Sequence, residues 1–216
     1  MKRQKLIRDT EVYVKQVLEH DSSGHDWWHI ERVRTLAIRI GETEGVDLFI
    51  VEMAALLHDI DDWKLVGENN SLRRTIAWLD QNGVERAISD KICKVIEGVS
   101  YKGANVNTTT NNPECAVLQD ADRLDAMGAI GIARTFAYGG NHGRAIYDPG
   151  IPPILHNDFE EYKKSEGTTI NHFYEKLLLL KDRMQTEIGK AIAGQRHAFM
   201  LRFLEEFYAE WSGHNF

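Results

Sequence analysis

His29, the adjacent pair His58-Asp59, and Asp122 are the residues of this 216-residue chain whose types could do metal chemistry together. An imidazole nitrogen beside a carboxylate oxygen suits divalent ions such as Mn, Fe, Co or Zn, rather than the soft ions that thiolates select. Neighbours in a helix of 3.6 residues per turn point about 100° apart, so His58 and Asp59 can converge on one ion lying over their helix. The remaining ligands must come from elsewhere, and His29 and Asp122 can supply them. Taken singly, each has an ordinary explanation. His29 could be a first-turn helix residue, His58-Asp59 a polar helix end, and Asp122 one acid of the run Asp120-Ala121-Asp122-Arg123-Leu124-Asp125.

The elements that would carry these residues read as helices. Ile30, Val33, Leu36, Ala37 and Ile40 recur at helical spacing behind Asp26, an N-cap type, which puts His29 in the first turn. Phe49, Met53, Leu56, Leu57 and Ile60 form a second stripe that carries His58 and Asp59 near its C-terminal end. Leu72, Ile76 and Leu79 mark a helix stopped at Asn82-Gly83, and Ile88, Ile92, Val95, Ile96 and Val99 mark another that stops before Lys102-Gly103. After a polar loop over 105–112, Asn112-Pro113 reads as N-cap and first helical residue of a helix that passes Leu118, Ala121 and Leu124, continues beyond Gly128 toward Phe136, and ends at Gly139-Gly140.

Three of the four prolines lie between Pro149 and Pro153, which leaves the rest free to run as helices and predicts an all-α fold. Residues 139–167 form one long irregular insertion, a candidate lid. Beyond it, Phe173, Leu177, Leu180, Met184 and Ile188 predict one helical stripe, and Phe199, Phe203, Phe207 and Trp211 another.

The composition fits one large domain over residues 1–216, since 43% hydrophobic residues can fill a sizeable core. A net charge of −7 argues against a stable nucleic-acid complex, which would need a concentrated basic surface, so any phosphate site should be local. Cys93 and Cys115 form no CxxC motif and are too few for a disulfide framework; both read as buried small hydrophobes in a reducing compartment. The stretch from Met1 to His20 lacks a continuous apolar region and no segment reaches the length of a membrane span. The expectation is a cytoplasmic protein with no membrane partner; a homodimer is left open.

The segments His25-Asp26-Trp27-Trp28-His29-Ile30, His58-Asp59-Ile60-Asp61-Asp62-Trp63-Lys64 and Asp120-Ala121-Asp122-Arg123-Leu124-Asp125-Ala126 resemble the HD-domain phosphohydrolases. Their pattern is a His, then a His-Asp pair, then a distant Asp, each on a different helix, and the likeness to one bacterial single-domain subgroup extends over nearly the whole chain. The resemblance implies a helical bundle in which His29, His58, Asp59 and Asp122 bind one divalent metal. It gives Asp62 the position of the acid that orients the attacking water, and Lys64 follows at a lysine-bearing position. Relatives with a second metal carry extra histidines between the His-Asp pair and the last Asp. None lies between Asp59 and Asp122 here, which favours one metal, with carboxylates such as Glu97 the alternative.

The same resemblance implies a hydrolase of nucleotides, first of all one that releases pyrophosphate from (deoxy)nucleoside triphosphates by attack of water on the metal. Cleavage of a nucleoside monophosphate or a phosphodiester is the alternative, and a non-catalytic nucleotide or metal sensor is the alternative from another class. Mn2+ is the favoured ion, with Mg2+, Fe2+, Co2+, Ni2+ and Zn2+ also admitted by nitrogen and oxygen ligands. Lys64, Lys102, Arg123 and Arg144 are the cations that could meet phosphate. Tyr101 could stack on a base, and His142 and Arg144 belong to the insertion, where a closing segment could reach the substrate.

Overall fold

A computed structural model describes residues 2–19, 26–61, 72–99, 108–155 and 167–214. The α-helices are α1 (Lys2–Val17), α2 (Trp27–Glu44), α3 (Leu48–Leu57), α4 (Arg73–Gln81), α5 (Arg86–Glu97), α6 (Pro113–Asp125), α7 (Gly128–Asn141), α8 (Asn171–Glu175) and α9 (Glu187–Trp211), with a 3-10 helix at Leu177–Arg183 before the last. Among the described residues there is no strand, so the fold is all-α. No described helix is long and apolar enough to cross a membrane.

The chain forms two compact units, one holding α1 to α5 and α6 as far as Asp122, the other most of the chain from Arg123 onward. At the centre of the first is α3, which packs against α1, α2 and α5. Its sequence is apolar on nearly every side, and such a helix must be buried all round. Phe49, Ile50, Val51, Met53, Ala54, Ala55, Leu56 and Leu57 are all buried. Its polar exception, Glu52, accepts from Arg34 Nε and Nη2 of α2 at 2.9 and 2.6 Å, and Arg34 Nη1 donates onward to Glu11 of α1 at 3.3 Å. One half-buried guanidinium therefore fixes the three helices to one another.

Caps set the registers. Asp26 accepts from the backbone N–H of His29 at 2.9 Å, which starts α2, and Gly45 ends it with φ 70. Asp47 caps α3 through Phe49 and Ile50, and Asn112 caps α6 through the N–H of Cys115 at 2.9 Å. Each such cap stabilises its helix by about 1 kcal/mol. Helix α1 is held on α4 by a Tyr13–Trp78 stack with ring centres 4.1 Å apart and by Trp78 Nε1 donating to Thr10 Oγ1 at 2.8 Å.

Several sequence expectations are corrected. The helix from Pro113 breaks at Asp125 and restarts at Gly128, whose φ of 71 lies in the left-handed region that glycine occupies without a Cβ clash. Helix α7 then runs through Gly139-Gly140 to Asn141, because Gly139 faces Thr169 with no room for a side chain and so serves packing rather than termination. The stripe from Phe173 to Ile188 is three pieces, α8, the 3-10 helix, and the start of α9. Leu72 precedes α4 instead of belonging to it, with φ 47. Cys115 is buried, but Cys93 is only partly so, and neither is in a disulfide. Of the expected insertion, 142–155 is without helix or strand and 156–166 lies outside the described residues.

Candidate metal centre

Three helices deliver the four expected ligands, all within the first unit. Asp26's cap fixes the first turn of α2 and thereby His29, which is 1% exposed. Helix α3 ends at Leu57, and His58 is its C-cap in helical conformation (φ −63, ψ −28), so His58 and Asp59 belong to the turn after the helix rather than to its body. Asp122 comes from the last turn of α6.

The side chains converge. His29 Nε2 stands 3.3 Å from Asp59 Oδ2 and 3.5 Å from Asp122 Oδ1, and His58 Nε2 stands 3.4 Å from Asp59 Oδ1. One ligand atom each from His29, His58 and Asp59 lies within 4.8 Å of the others. Atoms bound to one ion at about 2.1 Å must lie about 3–3.5 Å from their neighbours, so this spacing is that of a coordination sphere.

The hydrogen bonding fits the same purpose. His58 Nδ1 lies 2.8 Å from the carbonyl oxygen of Ala55. A carbonyl only accepts, so Nδ1 carries the proton and, in the neutral ring, Nε2 holds the lone pair. That Nε2 is buried and has no hydrogen-bond partner. A buried polar atom left so is costly, and a lone pair aimed at a carboxylate asks for a cation between them. The donor set fits a divalent metal, with the imidazole held as metal-ligating histidines usually are, by their second nitrogen.

Exposure gives the cluster a direction. The side chains of His29, His58 and Asp59 are 1%, 3% and 9% exposed, while that of Asp122 is 31% exposed, so the Asp122 side is the one open to solvent.

The other expected site residues fall differently. Asp62, Lys64, Tyr101 and Lys102 lie outside the described residues. Arg123 is buried and donates through Nη1 to the carbonyl of Arg183 at 2.6 Å, a structural tie within the second unit. His142 and Arg144 are brought together, also in the second unit, against one aromatic ring: His142 stacks on Tyr138 with ring centres 3.9 Å apart, and the Arg144 guanidinium carbon lies 5.7 Å from the same ring centre.

Sequence reasoning missed two participants. The carbonyl of Ala55 has no sequence signature, because every residue carries one. Asp61 looks like one more solvated acid beside Asp59 and Asp62, yet it is 4% exposed and accepts from the N–H groups of Arg74 and Thr75 and the hydroxyl of Thr75.

An all-α fold in which α2, the turn after α3 and α6 bring two histidines and two aspartates together is that of a helical protein with a candidate metal centre, and comparison gives the family. The HD domain model matches residues 27–127, which contain all four residues. The chain is 37% identical to the Bacillus subtilis protein YpgQ over 99% of this chain and 97% of that one. Among solved structures, a Lactobacillus plantarum protein superimposes with a TM-score of 0.84 at 40% identity, covering 96% of this chain and 97% of that one. An HD-superfamily hydrolase from Bacillus thuringiensis gives 0.75 at 44%, covering 97% and 98%. YpgQ in complex with ADP gives 0.73 at 34%, covering 94% and 97%. The chain belongs to the HD-domain superfamily.

Proposed function

We propose that His29, His58, Asp59 and Asp122 hold a single divalent ion, Mn2+ by preference, and that the protein hydrolyses nucleotides, releasing pyrophosphate from (deoxy)nucleoside triphosphates. The observation that carries this reading is the convergence of the four side chains at 3.3–3.5 Å, with His58 Nε2 left without a hydrogen-bond partner. When bound, such an ion acidifies water and draws charge from a phosphoryl oxygen.

The chain's own residues have separable tasks. Ala55 and Asp26 orient the two histidine segments before any substrate arrives, which limits the reorganisation needed during reaction. The solvent-facing side at Asp122 leaves an approach for a phosphate chain, and the buried wall of His29, His58 and Asp59 excludes water from the other side. In this reading Asp62 holds and accepts the proton of the attacking water, and Lys64 offsets charge on the phosphoryl group.

The ADP held by YpgQ supports a nucleotide over other phosphate esters. The absence of histidine between Asp59 and Asp122 supports one ion over two. The test is to strip the protein of metal, reload it with Mn2+, and separate the products formed from nucleoside triphosphates, monophosphates and cyclic dinucleotides. Pyrophosphate from triphosphates is the expected product. Orthophosphate from monophosphates, or a cleaved diester, replaces the substrate assignment, and no turnover with any divalent ion makes the domain a sensor.

A further inference from the structure

The first four N–H groups of a helix have no partner inside it and need a cap. Helix α4 has none of its own: the residue at its N-cap is Leu72, which lacks a side-chain oxygen and has φ 47. The cap comes from Asp61, 13 residues before Arg74. Asp61 Oδ1 accepts from the Arg74 N–H at 3.0 Å, and Oδ2 accepts from the Thr75 N–H at 2.9 Å and the Thr75 hydroxyl at 2.8 Å. The carboxylate thus stands at the positive end of the helix, where an anion is favoured. A fourth bond runs the same way, Arg74 Nη1 donating to the carbonyl of Ile60 at 3.3 Å.

These bonds grip the chain two residues after Asp59 and three after His58. Within the turn 58–61 the backbone bond from Ile60 N–H to the Leu57 carbonyl is long, 3.4 Å, a weak hold by itself. The turn follows the last helical residue of α3, so a hold on the chain beyond it bears on where the Asp59 carboxylate stands. Asp61 is buried, and each of its oxygens accepts from α4.

We propose that Asp61 is a positioning residue of the metal centre: its carboxylate, clamped to the N-terminus of α4, holds the turn bearing His58 and Asp59 in its ligating arrangement and so sets metal affinity. The inference rests on the metal reading given above. A cap with no such role would contribute to stability alone, and the two differ in what they do to affinity in protein that remains folded. Partners that orient metal ligands typically change affinity by about 10–100-fold when removed.

The experiment is calorimetric titration of Mn2+ into metal-stripped full-length protein, with helical circular dichroism and melting recorded alongside. Asp61→Asn is expected to weaken Mn2+ binding about 10–100-fold while its helical signal persists. Thr186→Ala removes the cap of α9, where Thr186 Oγ1 accepts from the Gly189 N–H at 3.0 Å in the other unit, and is expected to lower the melting temperature without changing affinity. Unchanged affinity in Asp61→Asn overturns the proposal, as does an equal loss in Thr186→Ala, since affinity would then merely follow stability. If Asp61→Asn does not fold, Thr75→Val, which deletes one of the three donors, decides: weaker binding supports the proposal and unchanged binding overturns it. Wild-type protein that takes up no divalent ion defeats the metal reading itself and this inference with it, whereas wild-type binding with an indifferent Asp61→Asn defeats this inference alone.

Discussion

The sulfur of Cys115, in the first turn of α6, fills the space that a side chain on Gly98 would need. Gly98 follows α5 with φ −81, a conformation open to any residue, so contact alone demands glycine here. Gly98→Ala should destabilise the protein by about 1–3 kcal/mol, the usual cost of overpacking. In the Cys115→Ala background the same change should cost much less, and urea unfolding of the four proteins reads that coupling directly. Equal costs in both backgrounds would show that the sulfur is not the obstacle.

Asp59 stands against both histidines through its two oxygens, so of the four proposed ligands it is the one whose loss should be least tolerated. Asp59→Ala is expected to abolish metal uptake and turnover while the helical circular dichroism is retained. Elemental analysis decides the matter, and a normal metal content in the variant would remove the four-residue assignment.

Asp62 separates binding from rate. In the proposed mechanism it acts on water and is not a ligand, so Asp62→Ala should retain the metal and lose about 100- to 10,000-fold in kcat, the range of general acid–base contributions. Turnover at the wild-type rate would exclude Asp62 from the chemistry.

His197 predicts a pH effect on stability that is independent of the metal. Burial and the neighbouring Lys181 ammonium hold its imidazole below the ordinary value of 6.5, against the opposing pull of Asp182 and the Leu178 carbonyl. The unfolded chain therefore binds the proton first, so the contribution is complete above pH 6.5 and is lost as pH falls from there through the lower folded value. His197→Asn should lose less melting temperature than wild type between about pH 7.5 and 5.5. An identical loss in both proteins would discard the effect.

What was legible in the sequence depended on how local its cause is. The cap at Asp26 and the stripe Ile30, Val33, Leu36, Ala37 and Ile40 place α2, with all but Leu36 buried, because capping and periodicity act within a few residues. Asn112 likewise started α6. The four expected ligand residues stand out in the sequence by their joint motif and its family resemblance, and the structure brings their side chains together. The role of Asp61 was hidden because its partners are 13 and 14 positions away, and the break at Gly128 because the glycine's left-handed backbone leaves no trace in the apolar pattern around it. Leu72 continued the apolar period of α4 yet stands outside the helix, since the period reports which side is buried and not where the hydrogen bonds begin.

The bond from His58 to Ala55 has an evolutionary consequence. The acceptor that orients the imidazole is a main-chain oxygen, so no substitution at position 55 can delete it; a new residue there inherits the same carbonyl. The clamp at Asp61 has no such immunity, because its acceptors and one of its donors are encoded by the side chains of Asp61 and Thr75. Of the two holds on this pair of ligands, one is heritable through the backbone whatever the codon, and mutation can tune only the other.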